Sequence, residues 1–381
     1  MVGVDGTGTT DPSPSARAEP VVAVAVRART DKATAVRDRN TSVILDFVAA
    51  RPGTVFRGLS TGALGHRASE PGLGTIPTVT TTNEPSRGPS PGAGWRRVTH
   101  GIHVASEGDV LAELAAWQLL LPKHGCFTHL TAAAVRGWWL PPLPAGMPVF
   151  VSLGQRDPRP LRDGIRSIRL TRPCAFDVVD GLRLATPLEI LLACAPDLGL
   201  VDLVVLIDGA VFAGDVTLEQ LRDDVATLRG RRGLRALRRA LVLADDRSES
   251  PFETLLRLLH VSCDVEVEPQ HEIEGARADL WLVGTRTLHE YDGEVHLPRP
   301  QQRKDLRRLR RLDEQRWTRH GYSDDDVLRR AVTILRDADR AVGREHLPER
   351  IRPWHDLLRE SLFTPAGQAR LARRWGAEEA A

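Results

Sequence analysis

Two runs rich in branched and aromatic residues, ARADLWLV (276–283) and RTLHEYDG (286–293), flank Gly284 and Thr285. That pattern is the short-range signal of a β-hairpin, and a two-residue loop fixes its register. Asp279 then faces Glu290, Trp281 faces Leu288 and Arg277 faces Asp292, each pair on one side of the sheet because side chains alternate with period two. Directly opposed residues have Cβ atoms about 4.5 to 5.5 Å apart, and like charges so placed repel. A divalent cation held by both Asp279 and Glu290 would neutralise them, at a separation suited to shared oxygen ligation of Mg²⁺. Asp292 has two readings, a third ligand or the partner of an ion pair with Arg277.

Just upstream, Ser250, Pro251 and Glu253 predict a helix start: serine at the cap, proline at the first helical position, and glutamate at the third reaching back. Phe252, Leu255, Leu256 and Leu259 supply the stripe that packs this helix on a sheet. VEVEPQHEI (265–273) supplies a strand before the hairpin. A capping role accounts for Glu253 without any metal, and that role is compatible with a place beside a catalytic site.

The arrangement of Glu253 on a helix, Asp279 on a strand, then Glu290, Asp292, Gly293 and His296 resembles the DUF559 family. Its members are relatives of the very-short-patch-repair endonucleases within the PD-(D/E)XK nuclease superfamily. The resemblance covers roughly 248–320, and it implies a restriction-endonuclease-like α/β core. Upstream phrases such as FRGLSTGAL, GWRRVTHGIHV, THLTAAAVRGWWLP and LATPLEILLACA resemble an AbiEi-antitoxin-like region. The chain departs from the signature at two positions, Ala278 in place of Pro and Asp292 in place of Lys, which leaves the lysine's role unfilled. What the resemblance implies for the chemistry is Mg²⁺ or Mn²⁺ at Asp279, Glu290 and Asp292, with Glu253 beside it. In the relatives a histidine past the second acidic strand takes part, and His296 is the candidate here, as general base or acid or as the group ordering the attacking water.

Beyond the hairpin, QQRKDLRRLRRLDEQRW (301–317) predicts a helix with Leu306, Leu309 and Leu312 on one face. Its other face carries Arg303, Lys304, Arg307, Arg308, Arg310 and Arg311. Such a run is ordinarily a solvated face, yet one sign of charge beside an acidic constellation is what a phosphate backbone needs. Lys304 is also placed to replace the charge missing at position 292.

The 381 residues carry a net charge of +2, so DNA has to be met by a local patch and not by a global field. Four scattered cysteines with no CxxC pair signal neither zinc nor a disulfide framework. No stretch reads as a membrane span or secretion signal, and the expected location is the cytoplasm. Residues 1–40 read as a disordered extension. Residues 41–105 read as a degenerate helix-turn-helix-like unit with a Pro/Gly-rich insertion. In it Val98, Ile102 and Val104 face inward, and Arg96 and Arg97 are either phosphate contacts or solvated arginines.

Residues 106–247 read as an α+β middle domain, with helices at 107–122, from Thr128, 187–195, 200–212 and 217–243, and strands in PVFVSL, GIRSIRL and GLRLA. Packing accounts for His124, Cys126 and His129, and for Asp208 on its apolar helix. The nuclease-like domain spans 248–345, and 346–381 form a helical, Arg-rich and peripheral tail. The expected activity is hydrolysis of DNA phosphodiester bonds without a covalent intermediate. The alternative is a non-catalytic, antitoxin-like DNA-binding regulator with an inactive nuclease fold.

Overall fold

The computed structural model describes residues 84–89, 91–273, 276–293 and 315–375, in a mixed α/β architecture with three sheets. First comes a small antiparallel sheet of β1 (Ser86–Arg87), β2 (Trp95–Thr99) and β3 (Ile102–Ala105), in the order β1-β3-β2. Ile102 and Val104 are buried against Ala116, with Val98 packed beside them, as their alternation requires. Arg97 is exposed, whereas Arg96 donates to Glu113 at 2.8 Å, so one of the two expected phosphate contacts is already held by a carboxylate.

The middle region follows in the order α1 (Val110–Gln118), β4 (Cys126–Phe127), α2 (His129–Val135), β5 (Val149–Gly154), β6 (Ile165–Leu170), β7 (Phe176–Val179) and β8 (Leu182–Ala185). Its five-stranded mixed sheet has the order β6-β5-β4-β8-β7. Helices α3 (Pro187–Cys194), α4 (Leu200–Phe212), α5 (Leu218–Thr227) and α6 (Leu234–Leu243) complete the region. The single helix expected over 217–243 is two, because Gly233 adopts a left-handed conformation (φ 82) that an α-helix cannot contain. His129 is buried, stacked on Phe150 and 3.0 Å from Asp197, so packing accounts for it.

The last sheet is built from β9 (Val267–Ile273), β10 (Ala276–Leu282), β11 (Thr287–Tyr291) and β12 (Thr318–Tyr322), in the order β12-β11-β10-β9. Helix α7 (Pro251–Ser262) lies against it. After β12 come α8 (Asp324–Arg329), α9 (Ala331–Ala341), a 3₁₀ turn (Pro348–Ile351), α10 (Arg352–Arg359) and α11 (Pro365–Trp375). β12 runs parallel to β11 and begins just past the stretch 301–317 that the sequence predicts as helix.

The junction near 247 is crossed by a buried ion pair. Asp208 of α4 lies 2.8 Å from Arg257 of α7, and also accepts from Thr254 Oγ1 and the Asp245 amide. Burial, only partly offset by Arg257, pushes the Asp208 carboxyl up to about 6. The end of the chain is equally tied in. Arg374 pairs with Asp197 at 2.5 Å, and Trp375 packs edge-on against Phe150 in the five-stranded sheet. The expected peripheral tail is therefore, over 365–375, part of the packed structure. Among the described residues no helix is long and apolar enough to cross a membrane.

Candidate active site

Helix α7 begins as its sequence dictates. The Ser250 hydroxyl accepts the Glu253 amide at 3.2 Å, with proline at the first position. Glu253 does not, however, close the expected reciprocal box with the cap. Its Oε2 accepts the Glu249 amide and the Gln270 side-chain amide, each at 2.8 Å, which ties the start of α7 to strand β9.

The hairpin has the register its loop predicts. Trp281 pairs with Leu288 and Leu280 with His289. Gly284 sits at φ 78, where a side chain would be strained. The ladder with β9 is where the structure departs from simple alternation. Ala278 pairs with His271 and Leu280 with Pro269, but the intervening residues Asp279 and Gln270 drop out, and Gln270 lies in the left-handed region at φ 53.

That irregularity changes which face each side chain occupies. Strict alternation would put Ala278, Leu280 and Leu282 together. Instead Leu280 and Leu282 enter the main core, while Ala278 packs with Ile273, Leu288 and Trp281 in a separate cluster. Asp279 does not confront Glu290 across a regular ladder pair. Its Oδ2 accepts the Tyr291 amide at 2.9 Å, and its charge acts on Glu253. Burial first, and the Asp279 charge second, push the Glu253 carboxyl up to about 7.

Glu290 is buried at 4% exposure, and its expected neutralising cation is in part a side chain. Arg319 of β12 places Nε 2.6 Å from Glu290, and its Nη2 donates to Asp292. Gly321, the β12 residue beside Glu290, makes room for this, since a Cβ there would collide with the Asp292 carboxylate. The Arg277–Asp292 pair expected from the hairpin is thus replaced. Arg277 donates to Glu249, and Asp292 belongs to Arg319. Neither Arg319 nor Gln270 was singled out from sequence, because one lies on a strand reached by a long crossover and the other acts through a local break in pairing.

Behind these acids, His289 and His260 form a buried pair. His260 Nδ1 donates to the Leu256 carbonyl (2.7 Å), so in the neutral pair His260 Nε2 accepts from His289 Nδ1 (2.9 Å). Burial lowers His260 to about 4, and burial together with the His260 and His320 charges lowers His289. His296, Arg303, Lys304, Arg307, Arg308, Arg310 and Arg311 lie outside the described residues.

No family model matches the chain. No solved structure matches it either. The chain is similar to two Mycobacterium tuberculosis proteins, uncharacterized protein Rv2248 of strain H37Rv and uncharacterized protein MT2308 of strain CDC 1551/Oshkosh. Each is 29% identical over 266 residues, spanning 65% of this chain and 94% of the relative. The resemblance to the nuclease group therefore rests on the residues themselves.

The carboxylates of this region differ in what already holds them. Among the described residues no three His, Cys, Asp or Glu side chains converge on one point. Glu253 and Asp279 nevertheless offer neighbouring hard oxygen donors, and Mg²⁺ is commonly bound by one or two carboxylates with waters and substrate phosphate completing its shell. Glu290 and Asp292 are instead committed to a guanidinium.

Proposed function

We propose that the chain is a metal-dependent DNA endonuclease, with Glu253 and Asp279 as the carboxylates that hold Mg²⁺ or Mn²⁺. The observation that carries this reading is the half-buried Glu253 carboxyl, pushed up by burial and by the neighbouring Asp279 charge, since acids perturbed in this way are enriched at functional sites. Hydrolysis adds a water oxygen to phosphorus and breaks a P–O bond, with one proton taken from water and one given to the leaving oxygen. A bound divalent cation supplies a lowered pKa for its water and compensation for charge developing on phosphate. Asp279, held by the Tyr291 amide, and Glu253, held by Gln270 and Glu249, orient the ligand oxygens. Arg319 pairs with Glu290 and presents a guanidinium beside it, in the role left open by Asp292. His296 is assigned the proton transfer, and the basic residues from Arg303 to Arg311 the DNA backbone.

Supercoiled plasmid incubated with the full chain and Mg²⁺ or Mn²⁺ tests this. The wild type is expected to nick or linearise it, and Asp279→Asn to leave it intact. The commitment of Glu290 and Asp292 to Arg319 favours a second reading, a DNA-binding regulator whose nuclease fold does not turn over. In that case both proteins retard the plasmid and neither cuts it.

A further inference from the structure

Helix α6 and the loop before it carry an unusual distribution of charge. Arg229, Arg231, Arg232, Arg235, Arg238 and Arg239 fall within 229–239, and no acidic residue occurs from 225 to 244. Leu234, Leu237, Ala240 and Leu241 are buried, so the solvent face of the helix is formed by Arg235, Arg238, Arg239 and Val242, the last 82% exposed. Of the six arginines only Arg231 meets a carboxylate among the described residues, Glu189. Arg229 and Arg238 donate to the carbonyls that end α5 and meet no carboxylate among the described residues. Arg232, Arg235 and Arg239 are exposed and make no hydrogen bond or ion pair with the described residues. The exposed acids of the adjoining α5, Glu219, Asp223 and Asp224, form no ion pair with them.

The placement also works against the helix. The first turn holds Arg235 and no acid, and Gly233 at the cap offers no side chain to the free amides. The positive end of a helix dipole favours the opposite sign, so Arg232 and Arg235 lower local stability unless an anion faces them. One-signed, solvent-facing guanidiniums along about 15 Å of helix match the spacing of charge on a nucleic-acid backbone, with several phosphates within reach.

We infer that the exposed arginine face of α6, centred on Arg232, Arg235 and Arg239, is a docking surface for the phosphate backbone of double-stranded DNA, separate from the carboxylates at Glu253 and Asp279. The choice of DNA over another polyanion rests on the function proposed above. Contacts of this kind position a duplex without reading its sequence.

The test is binding of a labelled 30-base-pair duplex to the full chain in EDTA, followed by fluorescence anisotropy across a salt series. Wild type is compared with the triple variant Arg232→Ala/Arg235→Ala/Arg239→Ala and with the corresponding triple lysine variant. The alanine variant is expected to bind at least tenfold more weakly at low salt, with the slope of log K against log salt reduced by about 2 to 3, while lysine restores most of it. Unchanged melting would show that the variants fold. Equal affinity and slope for wild type and the alanine variant would overturn the docking surface and leave cleavage of plasmid by the wild type unaffected. Absence of duplex binding by the wild type would overturn it too, with the nuclease reading judged separately by the plasmid. Preference for single-stranded RNA over the duplex would contradict the choice of partner.

Discussion

Arg319 reaches from β12 to place its Nε 2.6 Å from Glu290, joining two strands that are parallel neighbours but lie a long crossover apart in sequence. Removing the guanidinium takes a charged donor away from a carboxylate at 4% exposure. Arg319→Ala is expected to lose about 2 kcal/mol in urea unfolding, the scale of a charged hydrogen bond. Arg319→Lys is expected to recover only part of it, because one ammonium cannot fork to Glu290 and Asp292 as a guanidinium does.

Glu253 titrates high for two reasons that can be separated. Asp279→Asn removes the like charge and leaves the burial, so the Glu253 pKa is expected to fall from about 7 while staying above its ordinary 4.5. Carbon-13 NMR of the side-chain carboxyl across pH reads this directly. A pKa unmoved by the substitution would mean that burial alone sets it.

Asp208 holds the middle region and α7 together through Arg257, Thr254 and the Asp245 amide. Asp208→Ala strands a buried guanidinium and is expected to cost about 3 to 5 kcal/mol. Because the main core runs through both regions, the loss should appear in tryptophan probes of both halves. A loss confined to one half would show that they unfold independently.

Acid should destabilise the fold through its histidines. His260 is held near 4 against an ordinary 6.5, and His289 is lowered as well, so the unfolded chain binds these protons first. Their contribution is complete above pH 6.5 and declines as pH falls toward 4, by on the order of 3 kcal/mol for His260. Glu253 acts the other way. Its proton is bound more tightly in the fold, so its penalty is full above pH 7 and fades toward pH 4.5. Chemical denaturation from pH 7.5 to 4.5 should therefore show a steeper acid loss in Glu253→Gln, which lacks the opposing term, than in wild type.

The hairpin register, the inward face of Val98, Ile102 and Val104, and the start of α7 were legible because each depends on local periodicity or on a cap. The orientation of Asp279 was not. It depends on Gln270 leaving the ladder one strand away, and no alternation within β10 encodes that. Arg319 escaped for a similar reason, since a parallel partner strand has no fixed offset in sequence. The α6 arginines and the lack of acids from 225 to 244 were visible as letters, but only burial shows which of those arginines face solvent.

The central claim is that Glu253 and Asp279 together take a divalent cation. Isothermal titration of Mn²⁺ or Mg²⁺ at pH 6.5, repeated in buffers of different ionisation enthalpy, tests it most directly. Wild type should bind with release of close to one proton, and Glu253→Gln should bind more weakly with that release lost. Wild-type protein that takes up no cation, or identical proton release from both proteins, would contradict it.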